Sequence, residues 1–433
     1  MYLVVINVPF RSCGPGAAEV ASDWGRALAL LRDSFHGRFG PLVVAAPELP
    51  PGDGPLGSQE PYRLDASDDG ISFVRLGDTR WRARDFWRHH RAIRARCRDL
   101  ARRAEVVHAG MGNLWQPYAY VGFCAGLKAG ITTVFVQDGD AVGRLLDLAA
   151  GRGLLHRFRT RLYCTVYERR ARRAVARADL SLLKGRAVNA RYGRFARNAR
   201  DFYDTSYPSD DVIPPTELSA KIDRIRAGKP LRCLSLGRLE DFKRVDDSVR
   251  AVDAAVRQAV PVQLDIIGNG PDTGRLRALV DDLGAGAHVR FLGARPYGPA
   301  LLRELRSYHV YLFTSTADET PRSVFDAFAA GCPLLAYALP YTEQVVDETG
   351  AGRCVPRGDR AALARVLTDW CEERSALIDK MRLAAAAGAD NSADAWYARR
   401  AQWTIEAHER ACPRQNVPRR SASPLSLKDD PTP

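Results

Sequence analysis

The chain has no apolar run that approaches the roughly 20 residues a membrane helix needs; its longest, at 334–339 and around 134–136, are far shorter. No membrane span is predicted. The N-terminal residues Met1 to Val8 run straight into Pro9 and Arg11, without the basic region and small-residue cleavage site of a secretory signal. They read instead as a first buried strand. The nine cysteines include no Cys-x-x-Cys pair, which argues against a disulfide framework or a zinc site and points to a reducing, cytoplasmic setting. No internal repeat is apparent. Acidic residues are also in deficit: 51 Asp and Glu against 64 Lys and Arg leave a net charge of +13. That excess implies an anionic partner, with nucleotide sugar, anionic lipid surface and nucleic acid all compatible.

What is present is a long chain of average charge content. With 433 residues and 46% apolar composition, it exceeds one ordinary core and divides into two α/β domains. In the first half, strands are predicted at 3–8, 42–46, 71–76, 105–109 and 132–136. Helices are predicted at 17–35, where Trp24, Leu28, Leu31 and Phe35 recur at helical spacing, and at 82–103. Strands alternating with helices predict a parallel sheet, ending near Pro214-Pro215, followed by a polar, basic connector at 221–230. The assignment is an N-terminal lobe at 1–220, a second lobe at 231–385, a helical segment at 386–412 and a disordered tail at 413–433. Trp396, Tyr397 and Trp403 imply that the last helix packs on a large surface, that of the first lobe.

Strand ends of the second lobe hold the informative residues. Leu236-Gly237-Arg238-Leu239 ends a buried strand, with Lys243 shortly after, and ligands of open α/β sheets bind at such ends. Glycine admits a phosphate close to the backbone, while a guanidinium and an ammonium offer bidentate and point-charge contacts to a diphosphate. Taken alone, both cations equally fit a solvated loop. Gly268-Asn269-Gly270-Pro271 ends the next strand, and tight turns use the same residues for structural reasons. Phe291-Leu292-Gly293 ends a third and places Arg295 on the following loop. The stretch from Asp318 and Glu319 through Thr320-Pro321-Arg322 to Asp326 opens a helix whose free amides suit an anion. Its acids can hold sugar and ribose hydroxyls, or act as ordinary helix acids.

In this order the segments resemble glycosyltransferase family 4, whose members have the GT-B fold of two Rossmann-like lobes facing a cleft. The match covers about residues 231–359: Gly237-Arg238-Leu239 with Lys243, Gly268-Asn269-Gly270-Pro271, Phe291-Leu292-Gly293, the Asp318 to Asp326 box, and Ala329-Ala330-Gly331-Cys332-Pro333. The resemblance implies a retaining transferase, metal-independent and without a cofactor, that takes a UDP-, GDP- or ADP-sugar donor and a glycan or lipid-linked acceptor. Arg238 and Lys243 would hold the diphosphate and Asp326 the ribose. Asp318, or Glu319 in its place, would touch the transferred sugar. Aspartates stand where the family has glutamates, so reach is one methylene shorter. Gly14-Pro15-Gly16 lies where the family carries a glycine-rich loop. The family's histidine in the first lobe has no counterpart; Gln137 or Asp138 aligns with it, and His108 is a substitute.

Two other readings stay open. Asp138-Gly139-Asp140 resembles the Asp-x-Asp metal site of the other large transferase fold. The arginine-rich stretch 157–200, with Arg169-Arg170-Ala171-Arg172-Arg173, suits nucleic acid, a solvated face or peripheral contact with an anionic membrane at its inner face. Lipid contact is preferred, because no nucleic-acid fold accompanies the stretch.

Overall fold

The computed structural model describes residues 1–56, 60–317 and 319–415. Asp318 and most of the tail lie outside the described residues. The strands of the first lobe are β1 (Tyr2–Val5), β2 (Phe10–Gly14), β3 (Ala17–Val20), β4 (Leu42–Glu48), β5 (Tyr62–Asp65), β6 (Ile71–Asp78), β7 (Val106–Gly110), β8 (Thr132–Gln137), β9 (Leu180–Lys184) and β10 (Ala199–Phe202). They form one sheet in the order β10-β9-β8-β7-β1-β4-β2-β3-β5, with β6 also paired to β4. Its centre is parallel, and Leu3 aligns with Val43 on one side and Val107 on the other. These strands are buried on both faces, which is why they read as continuous apolar runs.

The edge departs from the expected all-parallel sheet. Residues 17–20 form β3, antiparallel to both β2 and β5, and the helix starts only at Ser22. Gly14 and Gly16, with φ of 137° and 78°, turn the chain back on itself in a β2–β3 hairpin. The Gly-Pro-Gly segment is therefore an exposed hairpin tip and not a loop leading into a helix.

The second lobe is a six-stranded parallel sheet of β11 (Leu231–Leu236), β12 (Val262–Ile267), β13 (Val289–Gly293), β14 (Val310–Phe313), β15 (Leu334–Tyr337) and β16 (Gly352–Val355). The order is β13-β12-β11-β14-β15-β16, so the chain reverses direction across the sheet between β11 and β14. That switch point is where open α/β sheets bind ligands. The segment expected as a connector is instead part of this lobe. Helix Pro215–Arg226 buries Ile222 and Ile225 in the second core. Its Lys221 is also buried, and Nζ donates to the carbonyls of Ala330 at 2.8 Å and Gly331 at 3.1 Å. The ammonium thus caps the negative end of helix Ser323–Ala329, which repays the burial of a charge.

Helix Ala393–Gln415 returns to the first lobe, where Trp396, Ala401 and Ala407 share a core with Tyr2, Val4, Leu28 and Phe39. Thr132 and His408 are joined by a 2.8 Å hydrogen bond at this seam. No described helix is long and apolar enough to cross a membrane.

Candidate functional site

The ends of β11, β12 and β13 are tied together on one side of the switch point. Gly237 N donates to Ile267 O at 3.0 Å, Leu239 N to Asn269 O at 3.0 Å, and Gly268 N to Gly293 O at 3.0 Å. Gly237 and Gly268 have φ of 139° and 152°, conformations that a β-carbon disfavours. A β-carbon on Gly268 would also fall within van der Waals contact of the Gly237 carbonyl oxygen, which is backbone and cannot yield. Gly268→Ala is therefore expected to destabilise the fold by at least about 2 kcal/mol, through overpacking and backbone strain together. A urea titration checks this, and an unchanged midpoint would mean that the strand ends tolerate separation.

Lys243 is positioned from the neighbouring strand. Its carbonyl and that of Arg244 accept from Thr314 Oγ1 at 3.0 and 2.8 Å, and Thr316 N donates to Phe242 O at 2.8 Å. Arg244 holds φ of 50°, unusual for a residue with a side chain, and its guanidinium pairs with Asp246 at 2.9 Å and Asp247 at 3.2 Å. Pinned in this way, Lys243 places Nζ 2.6 Å from Glu319 Oε1 and 5.5 Å from the centre of the Phe313 ring. The pair is largely shielded, with side-chain exposures of 18% and 26%. Arg238 differs, because its side chain is 72% exposed and, among the described residues, pairs with Glu240 at 2.8 Å. The two cations thus differ: Lys243 is shielded against Glu319, and Arg238 is exposed and paired with Glu240.

Asp326 sits inside helix Ser323–Ala329, buried, and its Oδ1 accepts from Tyr297 Oη at 3.0 Å. Burial pushes its carboxyl up to about 7, against the smaller opposing effects of Tyr297 and Arg322. Tyr297 follows Arg295 in the loop after β13, and sequence reasoning missed it because nothing in local spacing signals a contact with Asp326. Arg295 itself folds back, donating to Leu292 O at 2.6 Å. Pro321 precedes the helix cap instead of opening the helix, and Arg322 points to the first lobe, donating to Ser206 Oγ at 2.6 Å and Asp23 Oδ2 at 3.0 Å. Arg322 thus bridges the two lobes.

The first lobe faces this end with the tips of β8, β9 and β10. A small pocket between the lobes is lined by Lys184, Gly185, Tyr203 and Asp204 on one side and by Thr320, Pro321, Arg322 and Tyr341 on the other. Lys184 Nζ lies 3.4 Å from Asp204. Asp138 is accessible but walled by protein, which raises its carboxyl; Asp204 raises it further, while Arg400 and Lys184 oppose. Asp140 does not pair with it as a metal ligand would. One oxygen accepts from Gly143 N at 2.9 Å, capping helix Ala141–Ala150, and the other meets Arg191 at 3.0 Å. Among the described residues no group of three potential ligands forms a metal site. Gln137 is buried against Gly139 O and Tyr167. His108, half-buried on β7, shares a 2.8 Å hydrogen bond with Tyr2, and burial lowers it to about 3.

Residues 220–389 match the family model described as glycosyl transferases group 1. That match falls on the second lobe and the end of the helix that precedes it. The glycosyl transferase resemblance extends over limited segments of curated relatives. The chain is 28% identical over 149 residues to the UDP-N-acetylglucosamine–peptide N-acetylglucosaminyltransferase GtfA subunit of Streptococcus pneumoniae, covering 34% of this chain and 29% of that protein. It is 30% identical over 104 residues to the 2-deoxystreptamine N-acetyl-D-glucosaminyltransferase of Streptomyces fradiae, 24% of each chain. The chain thus spans under a third of the length of these two relatives. Among solved structures, HepE of Anabaena in complex with UDP aligns over 94% of this chain and 99% of its own, with TM-score 0.63 and 16% identity. WaaG, a glycosyltransferase involved in lipopolysaccharide biosynthesis, aligns over 93% and 99%, with TM-score 0.57 and 14% identity. These likenesses establish the two-lobed GT-B fold.

Proposed function

We propose that the protein transfers a sugar from a nucleoside-diphosphate donor to an acceptor hydroxyl, with retention of anomeric configuration, as in glycosyltransferase family 4. The observation that carries this reading is the fixed Lys243 ammonium, on the loop that leaves the Gly237 strand end and paired with Glu319. Negative charge grows on the departing diphosphate during transfer, and a preorganised cation at a strand-end turn stabilises it without reorganising. Arg238, exposed and mobile in reach, closes on the same diphosphate when donor enters. Glu319 then exchanges its ion pair with Lys243 for hydroxyls of the transferred sugar. Asp326 binds the ribose once Tyr297 turns aside. The reading needs no metal and no cofactor. The UDP bound by HepE and the UDP-N-acetylglucosamine named for the GtfA relatives favour a UDP-sugar among the donors. A donor-hydrolysis screen across UDP-, GDP- and ADP-sugars tests the reading; hydrolysis of one class is expected, and hydrolysis of none, with no nucleotide binding, would remove it.

A second element of the reading is contact with an anionic membrane, favoured by the helix Leu154–Arg177. Leu154, Leu155, Phe158 and Leu162 fall on one helical face and are 82%, 71%, 66% and 58% exposed. Arg157, Arg159 and Arg161 flank them. Apolar insertion with arginine at headgroup level is the pattern of an interfacial helix. Co-sedimentation is expected with anionic vesicles over neutral ones, and Leu154→Ser with Phe158→Ser should abolish most of it. Equal recovery with both vesicle types would rule the contact out.

A further inference from the structure

On the first lobe, helices Ala83–Arg103 and Tyr118–Ala129 run side by side and leave a groove of about 370 Å³ between them. Arg91, Arg94 and Arg98 recur at three- and four-residue spacing, so they line one wall. The other wall and floor come from Tyr120, Val121 and Lys128, with Ala125 buried beneath. Helix Leu154–Arg177 closes the rim, placing Arg170 5.9 Å from the centre of the Tyr120 ring.

Much of the arginine elsewhere in this protein is paired with carboxylates, as at Asp265, which takes both Arg232 and Arg290. Here, among the described residues, no carboxylate pairs with Arg91, Arg94, Arg98 or Arg170, and Arg98 Nε turns only to the Arg94 carbonyl. Like charges gathered over an apolar floor repel one another in a reduced dielectric, and the same geometry strengthens attraction for an anion. The concavity and the apolar floor distinguish it from an ordinary solvated arginine face.

We propose that this groove binds a phosphate group carried on an apolar chain, the arginines holding the phosphate through bidentate contacts and Val121 and Tyr120 receiving the first part of the chain. The site is separate from the donor-binding strand ends of the second lobe, so it stands whether or not the transferase reading holds. A nucleic acid would satisfy the arginines but not the floor, because a polynucleotide backbone brings no aliphatic segment to it.

Calorimetric titration of the full chain tests this with dihexanoyl phosphatidic acid below its micelle concentration, against dihexanoyl phosphatidylcholine and inorganic phosphate. Saturable binding of the phosphatidic acid at one site is expected, at least about tenfold tighter than either control. Arg94→Gln with Arg98→Gln should weaken it at least about tenfold while the melting temperature stays at the wild-type value, because both side chains are exposed. Single Arg94→Gln serves if the double variant does not fold. Val121→Ser should weaken the phosphatidic acid but not inorganic phosphate. Equal binding of the phosphatidylcholine, equal binding of inorganic phosphate, a short oligonucleotide competing at the same affinity, or full affinity in the arginine variants would each overturn the proposal.

Discussion

Lys243→Ala is expected to lower donor turnover by at least about tenfold, because one charge-assisted contact to the departing diphosphate is worth about 1.5–3 kcal/mol. The structure adds a second consequence. Lys243 is held in place by Thr314 and Thr316 through its own backbone and its neighbour's, so alanine leaves the loop where it is and removes only the ammonium. Glu319 then loses its partner at 2.6 Å and faces the incoming diphosphate as an uncompensated carboxylate. Glu319→Gln in the Lys243→Ala background should therefore recover part of the lost donor affinity without restoring turnover. Arg238→Ala, by contrast, should act mainly on donor affinity, since its side chain is 72% exposed and becomes ordered only around a ligand. Initial rates with saturating donor separate the two effects; wild-type turnover in Lys243→Ala would refute its role.

The second large effect is on stability against pH. The folded chain binds a proton at Asp326 up to about pH 7, whereas the same carboxyl in an unfolded chain releases it near 3.8. Protonation therefore contributes stability that is complete below 3.8 and is lost as pH rises through 7, a window worth roughly 4 kcal/mol. Asp326→Asn keeps the shape and removes the titration. Urea midpoints of the wild type should fall relative to Asp326→Asn between pH 5 and pH 8; parallel curves would mean that the buried carboxyl is not the titrating group. If a ribose hydroxyl reaches Asp326, donor should also shift the wild-type curve and leave the variant's slope flat.

Much of the second lobe was legible because its strands are buried on both faces and end in glycine. Apolar runs such as 231–236 and 262–267 announce themselves, and glycine is demanded at Gly268 by the closeness of the Gly237 carbonyl and favoured at Gly237 by its φ of 139°. The first lobe was harder to read. Ala17–Val20 is short and merges in sequence with the helix that follows, so its pairing with β2 and β5 depends on the Gly14 to Gly16 turn and on a distant strand. Lys221 was misplaced because charge alone reads as exposure, while the carbonyls that receive it lie more than a hundred residues away. The same limit hid the Tyr297 contact with Asp326 and the use of Arg322 as a bridge to Asp23. Side-chain partners across elements are set by the packing of the whole fold, and no spacing rule carries them.

In the proposed function, the strand ends at Gly237 and Gly268, with Lys243, hold a donor diphosphate. A crystal structure of the protein soaked with UDP tests it most directly. The diphosphate is expected within hydrogen-bonding distance of Lys243 Nζ, with Arg238 folded onto it and Glu319 displaced from its ion pair. A diphosphate bound elsewhere, with Lys243 and Glu319 still joined, would contradict it.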